Sequence, residues 1–201
     1  MGRWRRFWHW WRRPSATTSL GALLLVGFVA GAAALTGFGS FVSYSNTQEF
    51  CISCHEMREF VYAEYQQSAH YKSASGVRPE CADCHVPKAW LPKLWRKMQA
   101  TLKELPNHFL GKIDTPEEFE AHRLTMAERV WATMKATDSR ECRGCHNTEA
   151  MAMDEQKPRA RAQHEDARTS GETCIDCHKG IAHKMPEIPG EPQPAEDEFN
   201  L

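Results

Sequence analysis

All eight cysteines of the 201-residue sequence lie in four copies of the motif Cys-x-x-Cys-His. The two thiols of this motif can add across the vinyl groups of a haem, and the histidine that follows can bind the iron. Four copies that use every cysteine therefore predict four covalently bound haem c groups. The motif residues are Cys51, Cys54 and His55; Cys81, Cys84 and His85; Cys142, Cys145 and His146; and Cys174, Cys177 and His178.

Zinc binding and disulfide bonds are the alternative uses of paired cysteines. A zinc ribbon does not require a histidine directly after each pair, whereas all four pairs here are followed by one. No cysteine remains outside the motifs to form a separate disulfide. Covalent haem attachment is therefore favoured over both alternatives.

Three histidines outside the motifs are candidates for the second axial position of a haem iron. His70 precedes Cys81 by eleven residues, and His164 precedes Cys174 by ten, so the two have almost the same offset. His183 follows the fourth motif too closely to reach the same haem easily, but it can reach a neighbouring one. We predict that all three are distal ligands.

Three distal histidines for four haems leave one haem with another ligand or an open position. The first haem is the expected exception, because Met57 follows His55 by two residues and methionine is also a haem ligand. His108 and His122 are alternatives with weaker support. His122 would lie on the buried face of a helix, where a packing role is more common.

The spacing of the motifs indicates an internal duplication. Their first cysteines are 30, then 61, then 32 residues apart, which is the pattern of a repeated two-haem module. A helix is expected between the modules from Thr115 to Asp138, with Thr115 as N-cap and Glu118 as its capping-box partner. Its expected buried residues are Phe119, His122, Met126, Val130 and Met134.

A second helix is expected from Lys88 to Leu110, interrupted by Pro92 and ending near Pro106. No useful period-2 alternation occurs in this part of the chain, so strands are not expected. The expected fold class is mainly α-helical with much coil. It comprises one N-terminal transmembrane helix and a multihaem cytochrome c domain of two duplicated dihaem modules, in which porphyrin supplies much of the core.

Residues 20–42 form an uncharged apolar segment that is long enough to cross a bilayer as one helix. The five arginines that precede it (Arg3, Arg5, Arg6, Arg12 and Arg13) place residues 1–19, which are rich in Arg and Trp, in the cytoplasm. A cleaved signal peptide is the alternative, but the apolar segment exceeds the usual length of a signal sequence. Both interpretations export the rest of the chain.

The exported part divides into a haem domain, residues 43–185, and an acidic, proline-rich tail, residues 186–201, that is expected to be disordered. The formal net charge of the whole chain is −1, which gives no support to nucleic-acid binding. The mean hydropathy of −0.60 excludes a protein with many membrane spans.

Beyond these inferences, the chain resembles the NapC/NirT family of membrane-anchored tetrahaem cytochromes c, which includes the NrfH type. The resemblance rests on Cys51-Ile-Ser-Cys-His-Glu-Met57, Ser68-Ala-His70-Tyr, Ser75-Gly-Val-Arg-Pro-Glu-Cys81-Ala-Asp-Cys-His-Val-Pro87 and Cys174-Ile-Asp-Cys-His-Lys-Gly-Ile-Ala-His183. It implies a quinol dehydrogenase in the bacterial inner membrane that takes electrons from menaquinol or ubiquinol. The electrons would pass to a periplasmic reductase.

The resemblance also implies particular site residues. In NrfH-type relatives the methionine that corresponds to Met57 ligates the first haem in place of the motif histidine, whereas ligation by His55 is the usual inference for NapC-like members. A lysine and a carboxylate near the quinol would correspond to Lys97 and Glu104, with Lys93 as a rival to Lys97.

Other functions remain open at this stage. The single tetrahaem domain fits a NapC-like donor to periplasmic nitrate reductase, with NirT-like delivery to a nitrite or N-oxide reductase as the alternative. A terminal reductase would need an open iron in a catalytic cavity, and a passive carrier would have little use for a span only nine residues before Cys51. The sequence leaves the oligomeric state undecided.

Overall fold

The computed structural model of the protein describes residues 2–11 and 19–190. Arg12 and Arg13 of the predicted cytoplasmic segment, and residues 191–201 of the predicted disordered tail, lie outside the described residues. The described part is helical with long irregular connections and contains no strand. The α-helices are α1 (Arg3–Trp11), α2 (Leu20–Tyr44), α3 (Gln48–Cys51), α4 (Ala63–Tyr65), α5 (Cys81–His85), α6 (Trp90–Gln99), α7 (Leu105–Phe109), α8 (Pro116–Ala136), α9 (Arg140–Arg143), α10 (Pro158–Ser170) and α11 (Cys174–Cys177).

Three further helical segments differ from the α-helix in their hydrogen-bond spacing. Met57–Tyr62 and Ala100–Glu104 form π turns, and Met153–Glu155 forms a 3₁₀ turn. The chain separates into two compact units, residues 1–45 and 46–201. The four Cys-x-x-Cys-His motifs all belong to the second unit.

Helix α2 confirms the predicted apolar helix at residues 20–42 and extends it to Tyr44. Ser19 begins it as N-cap, where its hydroxyl accepts a hydrogen bond from the Ala22 amide at 3.3 Å. Among the described residues, α2 is the one helix long and apolar enough to cross a membrane. Helix α1, formed by the Arg- and Trp-rich residues before it, was not predicted.

Helix α8 confirms the predicted inter-module helix and its capping box. The Thr115 hydroxyl accepts from the Glu118 amide at 3.3 Å, and the Glu118 carboxylate accepts from the Thr115 amide at 3.1 Å. The predicted buried face is wrong at His122, which is exposed and donates from Nδ1 to the Glu118 carbonyl. Arg123 is buried on this helix instead, because two glutamates neutralise its charge.

The predicted interruption at Pro92 is also wrong. Pro92 lies in the first turn of α6, where an amide has no partner within the helix, so proline costs nothing there. The helical path continues through the π turn and α7 to Phe109, beyond the predicted end near Pro106. The π turn, in which the Leu105 amide bonds the Ala100 carbonyl, is wider and so relieves crowding by the Pro106 ring.

Candidate haem-binding site

Each motif lies at a short helical turn, which brings its histidine back towards its first cysteine. In the third and fourth motifs, the histidine amide donates to the carbonyl of the first cysteine at 2.8 Å, in both the Cys142–His146 and Cys174–His178 turns. None of the eight cysteines forms a disulfide bond with another. This one-turn geometry presents two thiols and one imidazole together, as covalent attachment of haem requires.

The second and fourth motifs share a capping box and a lysine–aspartate ion pair that the other two lack. Asp83, inside the second motif, forms a capping box with Glu80, and Asp176, inside the fourth, forms one with Thr173. A lysine also pairs with each aspartate, Lys88 with Asp83 and Lys135 with Asp176. This likeness agrees with the predicted duplication, which stays a prediction.

The motifs adjoin one another in the order of the chain. The Cys51 and Cys81 thiols lie within hydrogen-bonding reach of each other. Cys142 lies close enough to both Cys84 and Cys174 for their charges to interact. The buried hydroxyl of Ser139 adds a link, because it accepts from the Ile175 amide at 3.1 Å and so joins the start of the third motif to the fourth.

The structure brings each of the three predicted distal histidines against a motif histidine. The ring centres lie 6.1 Å apart for His70 and His146, 6.1 Å for His85 and His183, and 6.0 Å for His164 and His178. His70 and His164 therefore face different kinds of partner, despite their matching offsets. His70 faces a motif of the other predicted module, whereas His164 faces a motif of its own.

These separations fit a metal ion held between two imidazoles. A metal–nitrogen bond is about 2 Å long and the ring centre lies about 1 Å beyond the nitrogen, so rings on opposite sides of one metal have centres about 6 Å apart. The three pairs match this spacing. The residues present therefore fit three haem irons as pairs of axial histidines.

Three of these histidines have lowered pKa values, which favour the neutral imidazole that metal binding requires. Burial lowers the pKa of His85 to about 4, and burial also lowers the pKa values of His178 and His183. His164 donates from Nδ1 to the Gln156 side-chain oxygen at 2.7 Å, which leaves its other ring nitrogen free to bind a metal.

A buried ion cluster holds the segment that carries His183. Arg123 donates to both carboxylate oxygens of Glu64, at 2.5 and 3.0 Å, and to Glu120 at 2.7 Å. It also donates to the Lys184 carbonyl at 3.2 Å, while the Lys184 amide donates to Glu64 at 2.9 Å. Although burial opposes its charge, these hydrogen bonds raise the pKa of Arg123. Both the backbone amide and the carbonyl of Lys184, the residue next to His183, are therefore hydrogen-bonded to this cluster.

The first motif has different surroundings. His55 and His108 have ring centres 6.3 Å apart, but Glu56 Oε1 lies 2.5 Å from His108 Nδ1 and 3.6 Å from His55 Nε2. Asp114 Oδ1 lies 3.4 Å from the same His55 nitrogen. Glu56 is 3% exposed, and although burial alone would raise its pKa, the hydrogen bond from His108 lowers it. One carboxylate oxygen of Glu56 is thus close to a ring nitrogen of each histidine in this pair.

Met57 begins the π turn directly after the first motif and is partly exposed. The prediction that it replaces or accompanies His55 at the first haem stays a prediction. The structure places His108 beside His55, whereas His122 lies on the exposed side of α8.

The three predicted quinol-site residues lie in α6 and the π turn after it. Lys97 is half-buried and close enough to Cys51 for the two to interact electrostatically, and burial lowers its pKa. Glu104 is exposed and forms an ion pair with Arg96 at 2.8 Å. Lys93 lines a separate cavity of about 150 Å³ together with Asp83 and Lys88. Lys97 is thus the one of the three found beside the first motif.

Sequence reasoning missed Glu56, Asp114, Arg123 and Ser139. Glu56 directly follows a motif histidine, and this adjacency was a usable signal. The role of Arg123 depends on Glu64 and Lys184, which are 59 and 61 residues away. Such distant pairing leaves no local pattern in a single sequence.

Comparison with known proteins gives a consistent set of relatives. The family model described as "NapC/NirT cytochrome c family, N-terminal region" matches residues 13–188. The chain is 54% identical over 184 residues to cytochrome c-type protein NapC of Escherichia coli K12, which covers 92% of this chain and 91% of NapC. It is 56% identical over 176 residues to denitrification system component NirT of Stutzerimonas stutzeri. The aligned residues are 88% of this chain and 87% of NirT.

A longer relative is also similar. Cytochrome c-type protein TorC of Escherichia coli K12 is 45% identical over 184 residues, which are 92% of this chain but 47% of TorC. No solved structure gives a significant match.

Proposed function

Because the chain belongs to the NapC/NirT cytochrome c family, we propose that it oxidises a membrane quinol and passes the electrons through four haem c groups to a periplasmic reductase. The observation that carries the proposal is that each motif lies beside the next one along the chain. A haem iron held at each motif would accept and release one electron at a time. Four haems in such a row would form an electron-transfer path rather than a single catalytic centre.

The membrane topology belongs to the same proposal. Helix α2 anchors the protein in the bacterial inner membrane, with residues 1–19 in the cytoplasm and residues 46–190 in the periplasm. The first motif begins at Cys51, seven residues after the end of α2. A lipid-borne quinol would therefore meet the first motif before the others.

At the quinol, this chain must supply a hydrogen-bond donor for a quinol oxygen and an acceptor for the proton that each electron leaves behind. Lys97 fits the donor role, because it is half-buried and lies near Cys51. Glu104 is the proposed proton acceptor, held in place by Arg96. Distal ligation by His70, His164 and His183, and by Met57 at the first haem, completes the proposed set.

Anaerobic absorption spectroscopy of the purified full-length protein in lipid tests this proposal. A reduced quinol analogue is expected to reduce the haems of the wild type rapidly, whereas Lys97→Ala slows the reduction by on the order of tenfold or more. Glu104→Ala is expected to slow it less, and Lys103→Ala serves as a control because this lysine is exposed in the same helical segment. The proposal fails if dithionite reduces all four haems of the wild type and quinol reduces none.

We propose a periplasmic nitrate reductase as the electron acceptor, as the 54% identity to NapC over 184 residues supports. Delivery to a nitrite or N-oxide reductase is the second candidate, favoured by the 56% identity to NirT, a denitrification system component. The quinol-reduced protein would be mixed with each purified reductase and its substrate, and haem reoxidation followed. Faster reoxidation by the nitrate enzyme supports the first candidate, and the reverse order supports the second.

A further inference from the structure

A row of large apolar side chains is exposed along the helical segment from Trp90 to Phe109. Leu91 is 75% exposed, Leu102 is 71% exposed and Phe109 is 77% exposed. The residues recur at intervals of three or four, the spacing that aligns side chains along one side of a helix. The exposed row consists of Leu91, Trp95, Met98, Leu102, Leu105 and Phe109.

Scattered exposed apolar residues are normal on a soluble surface, but a continuous row over five helical turns is not. Helix α8 of the same domain provides the contrast. Its Phe119 is buried, and its Val130 and Met134 are partly covered. The exposed row therefore indicates a surface that another apolar phase covers.

The charges around the exposed row favour a lipid membrane as the apolar phase that covers it. Residues 88–112 contain six basic residues and one acidic residue, although residues 43–201 as a whole contain 20 basic and 26 acidic residues. Cations beside exposed Trp, Leu and Phe are typical of helices that lie in the headgroup layer of a membrane with anionic lipids. The basic residues are Lys88, Lys93, Arg96, Lys97, Lys103 and Lys112.

We propose that the segment from Trp90 to Phe109 is an interfacial helix, which lies on the membrane that α2 spans and inserts its apolar row between the lipid headgroups. The continuity of the chain supports a lipid partner, because α2 ends at Tyr44 and the second unit begins at Asn46. This tether keeps the domain at a lipid surface whether or not another protein is present. The interfacial helix rests on the proposed membrane anchor α2 but does not depend on quinol oxidation.

The interfacial helix would also give the first motif a fixed depth. Lys97 belongs to this helix and lies near Cys51, so a helix held at the headgroups holds this lysine and this cysteine there too. A second attachment would prevent the domain from turning about the short connection to α2.

Labelling by a photoreactive carbene precursor that partitions into the bilayer tests the proposal directly. The full-length haem-loaded protein would be reconstituted into liposomes that contain phosphatidylglycerol, irradiated, digested and examined by mass spectrometry. Label is expected on residues 20–44 as an internal standard and on residues 91–109 at several times the level on α8. Labelling of residues 91–109 no higher than that of α8 would overturn the proposal.

Charged variants separate the lipid surface from other partners. Leu102→Glu is expected to lower labelling of residues 91–109 several-fold, whereas Thr133→Glu, an exposed position on α8, leaves it unchanged. Haem content and the absorption spectrum establish that each variant is folded. If Leu102→Glu instead dissociates a dimer or abolishes reductase binding while labelling is unchanged, the row is a protein interface and the proposal fails.

These outcomes are distinguishable from failure of the proposed function. Labelling reports the position of the helix even if quinol reduces no haem. Conversely, normal quinol oxidation with an unlabelled helix would retain the proposed function and remove the interfacial helix.

Discussion

The first motif and the other three are built from the same five-residue pattern, yet they lie in different electrostatic surroundings. His85 and His178, with partners His183 and His164, have ring separations near 6 Å, and among the described residues no ion pair joins these four to a carboxylate. At His55, by contrast, two carboxylates lie within 3.6 Å of Nε2.

This difference shows that the motif provides the residues for haem attachment but does not determine which residues face its histidine. Among the opposed pairs, burial lowers the pKa values of His85, His178 and His183, which favours the neutral imidazole that axial ligation requires. The polar surroundings of His55 suit instead a haem that exchanges protons and electrons with a substrate nearby. The first motif, which has these surroundings, is also the motif nearest to α2 in the sequence, where the proposed quinol would arrive.

The largest expected effect comes from removing one member of an opposed pair. His183→Ala is expected to leave one of four haems with a single axial histidine and convert it from low-spin to high-spin. Its potential should shift by on the order of 0.1 V, within the roughly 0.8 V range that axial ligands set. Electron paramagnetic resonance of the oxidised protein and a redox titration measure both.

His108→Ala is the matched variant at the first motif. Because the Glu56 carboxylate is within 2.5 Å of His108 Nδ1 and 3.6 Å of His55 Nε2, we expect no haem to change spin state in this variant. A new high-spin haem would show that His108 is a ligand and would remove the contrast between the two regions.

The sequence was sufficient for the features that depend on short segments. The apolar run from residue 20 and the Thr115-Pro-Glu-Glu start of α8 both led to helices at the expected places. The errors arose where tertiary structure overrides a local rule. Pro92 is harmless because it lies in a first turn, and Arg123 displaces His122 from the buried face because its ion pairs come from elsewhere.

The candidate site could be predicted in composition but not in pairing. The three proposed distal histidines could be selected from the sequence, since few histidines lie outside the motifs. Their partners could not, because nearly equal offsets from the second and fourth motifs led to unequal contacts for His70 and His164. Pairing over 76 residues, as between His70 and His146, depends on how the segments fold back, which no local spacing encodes.

A smaller effect is expected from the cluster that supports the His85–His183 pair. Arg123→Ala leaves Glu64 without its partner and should lower the free energy of unfolding by about 3 kcal/mol. Arg123→Lys should restore only part of this, because a lysine cannot bind both glutamates in the same forked geometry. Denaturant unfolding of the haem-loaded protein provides the measurement.

Arg129→Ala, an exposed arginine on the same helix, is the control and should be nearly neutral. If the support is specific, Arg123→Ala should also change the spectrum of one bis-histidine haem and leave the first haem unchanged. Equal perturbation of all four haems would indicate general destabilisation instead.

The smallest expected effect is a dependence of stability on acid. The hydrogen bond from Arg123 lowers the pKa of Glu120 below its ordinary value near 4.5, so this carboxylate stabilises the fold above that pH. The contribution is lost as the pH falls through the lowered pKa. Since Glu120 is 51% exposed, it should amount to less than about 1 kcal/mol.

Unfolding measured from pH 6 to pH 3 tests this expectation. Glu120→Gln should lose less stability over this range than the wild type, because it has no carboxylate to protonate. An equal loss in both proteins would assign the acid sensitivity to other groups.

The pairing of His85 with His183 has a consequence for biogenesis. The two residues are 98 positions apart, and Lys184 is fixed by Glu64 and Arg123, which precede it by 120 and 61 residues. On the proposed topology, the second motif would obtain its proposed partner only after residue 183 had been exported. A chain truncated before residue 183 would carry every attachment cysteine and still be unable to mature fully.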